Sequence, residues 1–114
     1  MIIGVVDIPW GAAKRTDEVL DQALESTKIY HDVKGLVRKH YINGAESGGG
    51  IYVFDTRENA EAWFHDGWAD WMEGRFGVRP TLTLYDNYLT LDNEAGEVRV
   101  AGEVVPAPWA DAAE

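Results

Sequence analysis

The chain has 114 residues, a length that suits one domain and leaves no room for a second. Twenty acidic residues against ten basic ones give a formal net charge of -10, which argues against nucleic acid and anionic membranes as partners. The lack of cysteine excludes disulfides and thiolate chemistry. No apolar run approaches the ~18 residues that span a bilayer, and the amino-terminal run reads as a strand and not as a signal peptide. We therefore expect a cytoplasmic protein.

The first predicted elements are a β-branched strand at residues 2–8 and a helix that Thr16 is expected to cap. That helix is predicted to end near His31. Its apolar positions have the i, i+3, i+4 spacing of one buried stripe, which is formed by Leu20, Ala23, Leu24, Thr27 and Tyr30.

Strands at residues 36–42 and 50–54 follow, and the glycine-rich segment between them predicts an antiparallel hairpin. Thr56 is expected to cap a second helix that runs to about Phe76, and residues 81–91 read as a fourth strand. This order predicts an α+β protein with a ferredoxin-like βαββαβ unit. We expect residues 1–97 to form that domain and residues 98–114 to form a carboxy-terminal arm and tail.

Both faces of the predicted sheet are apolar, although two helices cover only one of them. In the first strand Ile3 and Val5 point one way and Ile2 and Val6 the other, and the third strand alternates in the same manner. An exposed face of this kind is usually buried against a second copy of the chain. The strands therefore predict a homodimer in which sheet packs on sheet, forming a dimeric α+β barrel.

Several segments resemble the YdhR-type monooxygenase family of the dimeric α+β barrel superfamily. They lie at residues 35–41, 48–54, 58–64, 76–80 and 91–93, and the glycine run before Ile51 is the least ambiguous of them. The resemblance covers about residues 1–97 and also implies the dimeric barrel. It implies oxygenation of a small aromatic or polyketide-like substrate without flavin, haem or metal.

Two residues of the second strand are candidates for catalysis. His40 is expected to be the general base, because a histidine removes a phenolic or activated C–H proton near neutral pH. Strand alternation places Arg38 on the same face, where its charge would stabilise a developing oxyanion. The alternatives are a structural histidine in the barrel or at the dimer interface, and an arginine that pairs with an acidic residue across the dimer.

Aromatic side chains are the candidates for binding a small hydrophobic or aromatic molecule, because flat rings with a polar edge suit a phenolic ligand. The predicted pocket walls are Trp10, Tyr52, Trp63, Trp68 and Tyr85. The alternative is that the helix-spaced tryptophans only form the core. A metal site is not expected, because the pairs Glu61–His65 and Asp66–Asp70 lie beside the apolar stripe.

Two other functions remain open at this stage. A cyclase, isomerase or lyase would use the same pocket and base without oxygen. A non-catalytic dimer that only binds a small molecule would need neither the base nor oxygen.

Overall fold

The computed structural model describes residues 1–12 and 14–111, with side chains to residue 110. Within these residues the chain has an α+β fold with four helices and two antiparallel sheets. The larger sheet consists of β1 (Ile2–Ile8), β2 (Leu36–Asn43), β3 (Gly48–Phe54) and β4 (Thr81–Asp86), in the order β2-β3-β1-β4. All neighbouring pairs are antiparallel, including the predicted β2–β3 hairpin, and the order is compatible with a ferredoxin-like fold.

The helices are α1 (Thr16–Tyr30), α2 (Arg57–Trp63), α3 (Trp68–Phe76) and the short α4 (Pro108–Asp111). The smaller sheet consists of β5 (Leu89–Asp92), β6 (Glu97–Val100) and β7 (Glu103–Val105), in that order. No helix in the described ranges combines the length and the apolar character needed to cross a membrane.

The core lies between one face of the larger sheet and the helices. Alternate residues of β1 and β3 are buried on this face, so the period of two in the sequence is reproduced in the packing. Phe54 and Tyr52 are almost completely buried, and Ala60, Trp68 and Met72 cover them from α2 and α3. This arrangement fixes the sheet and both later helices as one body.

The second predicted helix is in fact two helices. Thr56 caps α2 as expected, since its side chain accepts a hydrogen bond from the Asn59 backbone N–H at 3.1 Å. The helix stops at Phe64, and the His65 ring accepts a hydrogen bond from the Gly67 N–H at 3.1 Å before α3 begins. This local bond replaces helical hydrogen bonds, so a single continuous helix was the wrong prediction.

The prediction for the first helix is wrong in two details. Arg15 occupies the cap position, where its side chain makes no capping hydrogen bond, and Thr16 is already helical. Leu20 and Leu24 are 50% and 59% exposed, whereas Ser26 and Tyr30 are buried. The stripe that faces the sheet is therefore rotated from the predicted one and includes a polar residue.

The predicted fourth strand is also divided. β4 ends at Asp86, and the Asn87 N–H then donates to the Met1 carbonyl at 2.9 Å while its side-chain amide donates to the Leu89 carbonyl. The first bond extends the β1–β4 pairing by one residue, and the second forms a local turn after which the chain leaves the larger sheet and enters β5. The predicted arm is the β6–β7 hairpin, and the expected boundary between residues 97 and 98 falls inside β6.

The second face of the larger sheet carries no helix among the described residues. Ile3, Val5, Ile51 and Val53 lie on it, half-buried, and Tyr85 is 55% exposed beside Ile3. This set of residues is called the open face below. The apolar residues on this face are those that strand alternation predicted for the second face of the sheet.

Candidate functional site

The candidate site is a cavity of about 650 Å³ between the larger sheet, α1 and α3. Its floor comes from β1, β2 and β3, and its roof comes from residues of α1 and α3. The cavity is large enough for a molecule with two or three fused rings. A shallower depression of about 480 Å³ shares Lys28, Lys39 and Tyr41 with it.

Lys39 places a buried amine among the aromatic rings of the cavity. It lies on β2 opposite Tyr52 of β3, on the face that the helices cover. Its amine is 3.3 Å from the ring centroid of Tyr30, 3.9 Å from that of Tyr41 and 4.8 Å from that of Tyr52. We call these three rings the tyrosine cage. No carboxylate forms an ion pair with Lys39 among the described residues.

Burial has a direct effect on the Lys39 amine. Loss of hydration and, as the smaller cause, the positive charge of Arg75 together lower its pKa from 10.5 to about 7. The ring faces of the tyrosine cage oppose the change, because they attract an ammonium group. Both protonation states of the amine are therefore accessible near neutral pH, which is the property of a general base.

The tyrosines of the cage are held by hydrogen bonds. Ser26 donates its hydroxyl to the Ala23 carbonyl at 2.7 Å, so the Tyr41 hydroxyl is the donor in its 2.8 Å bond to Ser26. Burial raises the pKa of both Tyr41 and Tyr52. These two hydroxyls therefore stay protonated at neutral pH and do not compete with Lys39 as bases.

The glycine run at the start of β3 makes room for the cavity side chains. A side chain at Gly48 would overlap the Trp10 ring, and one at Gly50 would lie 3.1 Å from Lys39 Cε and from Tyr52 Cε1. Gly49 has a φ of 148°, which L-residues rarely adopt, and a Cβ there would collide with the Val6 carbonyl. The glycine run at residues 48–50 is therefore needed for the cavity to have this shape.

Trp10 and Arg75 form part of the cavity wall. The Trp10 ring packs 6.3 Å from the Phe76 ring, and its indole N–H is buried without a hydrogen-bond partner in the described part of the chain. Arg75 stacks on the rings of Trp71 and Phe76, with centroid distances of 4.9 and 5.1 Å. Because Arg75 is exposed and also lines the cavity, it lies where the cavity opens to solvent.

The cavity contains two of the seven residues that the sequence indicated, Trp10 and Tyr52. Trp68 is buried in the core against Phe64, and Trp63 packs on Tyr30 behind the cage. Tyr85 lies on the open face.

His40 and Arg38 share a face, as alternation predicted, but it is the open face. They pair with Ile51 and Val53 of β3, and both are exposed. Neither lines the cavity.

Sequence reasoning missed Lys39, Tyr41, Ser26 and Arg75. The sequence did contain one indication of Lys39. Alternation places its side chain on the opposite face from His40, and a hairpin with glycines at the start of its second strand brings it opposite Tyr52. No group of three or more His, Asp or Glu side chains suited to a metal ion occurs in the described ranges.

A comparison with models of known protein families finds none that matches the chain, and a comparison with curated proteins finds no match either. The function is therefore inferred from the cavity and its residues.

Proposed function

We propose that the protein is a homodimeric, cofactor-independent monooxygenase that oxidises a small aromatic or polyketide-like molecule in the cavity. The observation that carries the proposal is Lys39, an amine with no carboxylate partner in the described residues, inside an aromatic cavity and with a pKa of about 7. The resemblance to YdhR-type monooxygenases supports the same reaction class.

The proposed reaction needs one base and a substrate that supplies all the electrons. The Lys39 amine accepts a proton from an activated CH₂ group, and the resulting carbanion reduces O₂ to a substrate peroxide. The peroxide anion takes this proton back from the Lys39 ammonium group, which restores the base, and then loses water and leaves a carbonyl, so that CH₂ and O₂ become C=O and H₂O. The protonated amine and the Arg75 guanidinium stabilise the carbanion, whose negative charge spreads onto a neighbouring oxygen.

In this proposal Lys39 replaces His40 as the base. The Lys39 amine is enclosed by aromatic rings, where a flat substrate would stack, whereas His40 is exposed on the other side of the sheet. We assign His40 and Arg38 to the interface between two copies, together with the apolar residues of the open face. This is the interface alternative that the sequence left open for both residues.

Oxygen uptake with anthrone as substrate tests the proposal. Anthrone is a flat tricyclic molecule with an activated CH₂ group, and its oxidation to anthraquinone is followed by absorbance after subtraction of the spontaneous rate. We expect one O₂ consumed per anthraquinone formed. We expect Lys39→Met to lower the protein-dependent rate by roughly 100-fold or more, because a general base contributes about that much.

Two comparisons make the result specific. Lys39→Arg keeps a cation in the tyrosine cage but removes the base, so it should be as inactive as Lys39→Met. If His40→Ala abolishes turnover and Lys39→Met does not, the base is His40 and the assignment is wrong. Turnover of a substrate without oxygen would instead support the isomerase or lyase alternative, and binding without any turnover would support the binding dimer.

A further inference from the structure

The charges around the cavity differ from those of the whole chain. The protein has twenty acidic and ten basic residues, yet four basic residues and only one acidic residue line the cavity. The basic residues are Lys14, Lys28, Lys39 and Arg75, and the acidic one is Glu25. An acidic protein thus encloses a positively charged cavity.

Only one of these cations has a carboxylate partner among the described residues. Lys28 pairs with Glu25 at 2.7 Å, so these two charges cancel. Arg75 and Lys39 both lack such a partner, and Arg75 repels the protonated form of Lys39. Unpaired cations beside aromatic walls indicate a ligand that brings the missing negative charge.

We propose that the cavity selects an organic acid, namely a flat aromatic molecule whose carboxylate pairs with Arg75 while its rings stack inside the cavity. This inference rests on the proposed function in taking the cavity as the substrate site, and it adds the charge of the substrate. A guanidinium suits the assignment because its N–H groups match the two oxygens of a carboxylate. The largely aromatic walls favour a ring system over a compact inorganic anion.

Binding of a carboxylate has a consequence for Lys39. The groups that face its amine are Tyr30 on α1, Tyr41 on β2, Tyr52 on β3 and Arg75 on α3. A carboxylate at Arg75 offsets the repulsion that lowers the pKa of Lys39, so this pKa rises in the complex. At pH 8, where the free protein holds most of this amine neutral, the acid should therefore bind with uptake of a fraction of a proton, and the amine that stays neutral is the form that acts as the base.

Isothermal titration calorimetry with naphthalene-2-carboxylate and naphthalene-2-carboxamide tests the proposal, since these two probes differ in charge and hardly in shape. We expect the carboxylate to bind about tenfold or more tightly than the amide. Arg75→Gln should remove this preference by weakening the binding of the carboxylate much more than that of the amide, whereas Arg75→Lys should keep most of it. Arg57→Gln is the matched control, because Arg57 pairs with Glu61 on α2, outside the cavity.

The proton uptake is measured by repeating the titration at pH 8 in phosphate and in Tris, whose ionisation enthalpies differ. The observed enthalpy should depend on the buffer for the carboxylate, and not for the amide or for Lys39→Met. Equal affinity for acid and amide, or no binding of either, overturns this inference. Because the titrations need no oxygen, acid-selective binding without oxygenase activity would leave this inference standing and remove the proposed function alone.

Discussion

At the scale of single residues, Lys39 links the cavity to the stability of the fold. Its pKa is about 7 in the folded protein and 10.5 for an ordinary lysine. Between these values the unfolded chain binds more protons, so the free energy of unfolding rises with pH across this window. Below pH 7 the folded protein carries the full cost of a buried ammonium group, and near pH 10 it carries almost none.

Replacement of Lys39 by methionine should remove this pH dependence. We expect the free energy of unfolding of Lys39→Met, relative to the wild type, to increase by roughly 2 to 3 kcal/mol between pH 9.5 and pH 7, because only the wild type has an amine to protonate. Urea unfolding at four pH values in this range measures the difference. The same series with the exposed Lys34→Met should be flat, and a flat result for Lys39→Met would mean that the amine keeps its charge.

The sequence of β2 shows which residues share a face, but it does not show which of the two faces the helices cover. Alternation correctly placed Arg38 with His40. The choice of the covered face depends on the whole sheet, where Lys39 lies opposite Tyr52 and beside Gly50. His40, the expected base, is therefore the sequence neighbour of Lys39, whose side chain lines the cavity.

At the scale of elements, the glycine run of β3 affects both the stability of the sheet and the shape of the cavity. Gly49→Ala should lower the free energy of unfolding by roughly 2 to 4 kcal/mol, because the new Cβ meets the Val6 backbone carbonyl and φ is unfavourable. Gly50→Ala should cost less and instead weaken ligand binding, since it presses on the flexible end of Lys39.

Gly74 supplies the control for these two variants. It lies within α3, where a Cβ meets no atom within 4 Å, so Gly74→Ala should stabilise the protein by about 0.5 to 1 kcal/mol. Thermal unfolding and calorimetry on the three variants give stability and affinity separately. A Gly49→Ala protein as stable as the wild type would contradict the close approach of β3 to β1.

The order of elements was predictable because apolar residues alternate clearly in β1, β3 and β4 of the larger sheet. The breaks were not predictable, because each depends on one or two local hydrogen bonds. The His65 ring ends the run of helical bonds between α2 and α3, and Asn87 turns the chain away from β4. The apolar pattern continues across both positions, so periodicity alone gives no sign of them.

At the scale of the whole molecule, the open face makes a prediction about assembly. If two copies pack sheet to sheet, a charge on this face is buried without a partner and association is lost. We expect the wild type to have twice the mass of one chain by light scattering after gel filtration. Val5→Asp should have the mass of one chain, because Val5 lies between Ile51 and Thr83 and has no cation beside it among the described residues of the larger sheet.

Leu24→Asp is the control for the assembly experiment. Leu24 is 59% exposed on α1, on the opposite side of the larger sheet, so this variant should stay dimeric. A monomeric wild type would overturn the proposed dimer and leave the cavity argument untouched, because all the cavity residues named here come from one chain.

β2 lies at one edge of the larger sheet, and this position bears on the solubility of the protein. A sheet edge offers backbone groups to which another chain can add a strand, and charged side chains are a common protection. Arg38 is exposed on this edge strand, whereas the Lys39 amine is turned into the cavity, in a chain where acidic residues are twice as common as basic ones. We therefore expect the Arg38 charge to protect this edge. An Arg38→Ala protein should aggregate faster than the wild type, as measured by light scattering, before its midpoint of thermal unfolding changes.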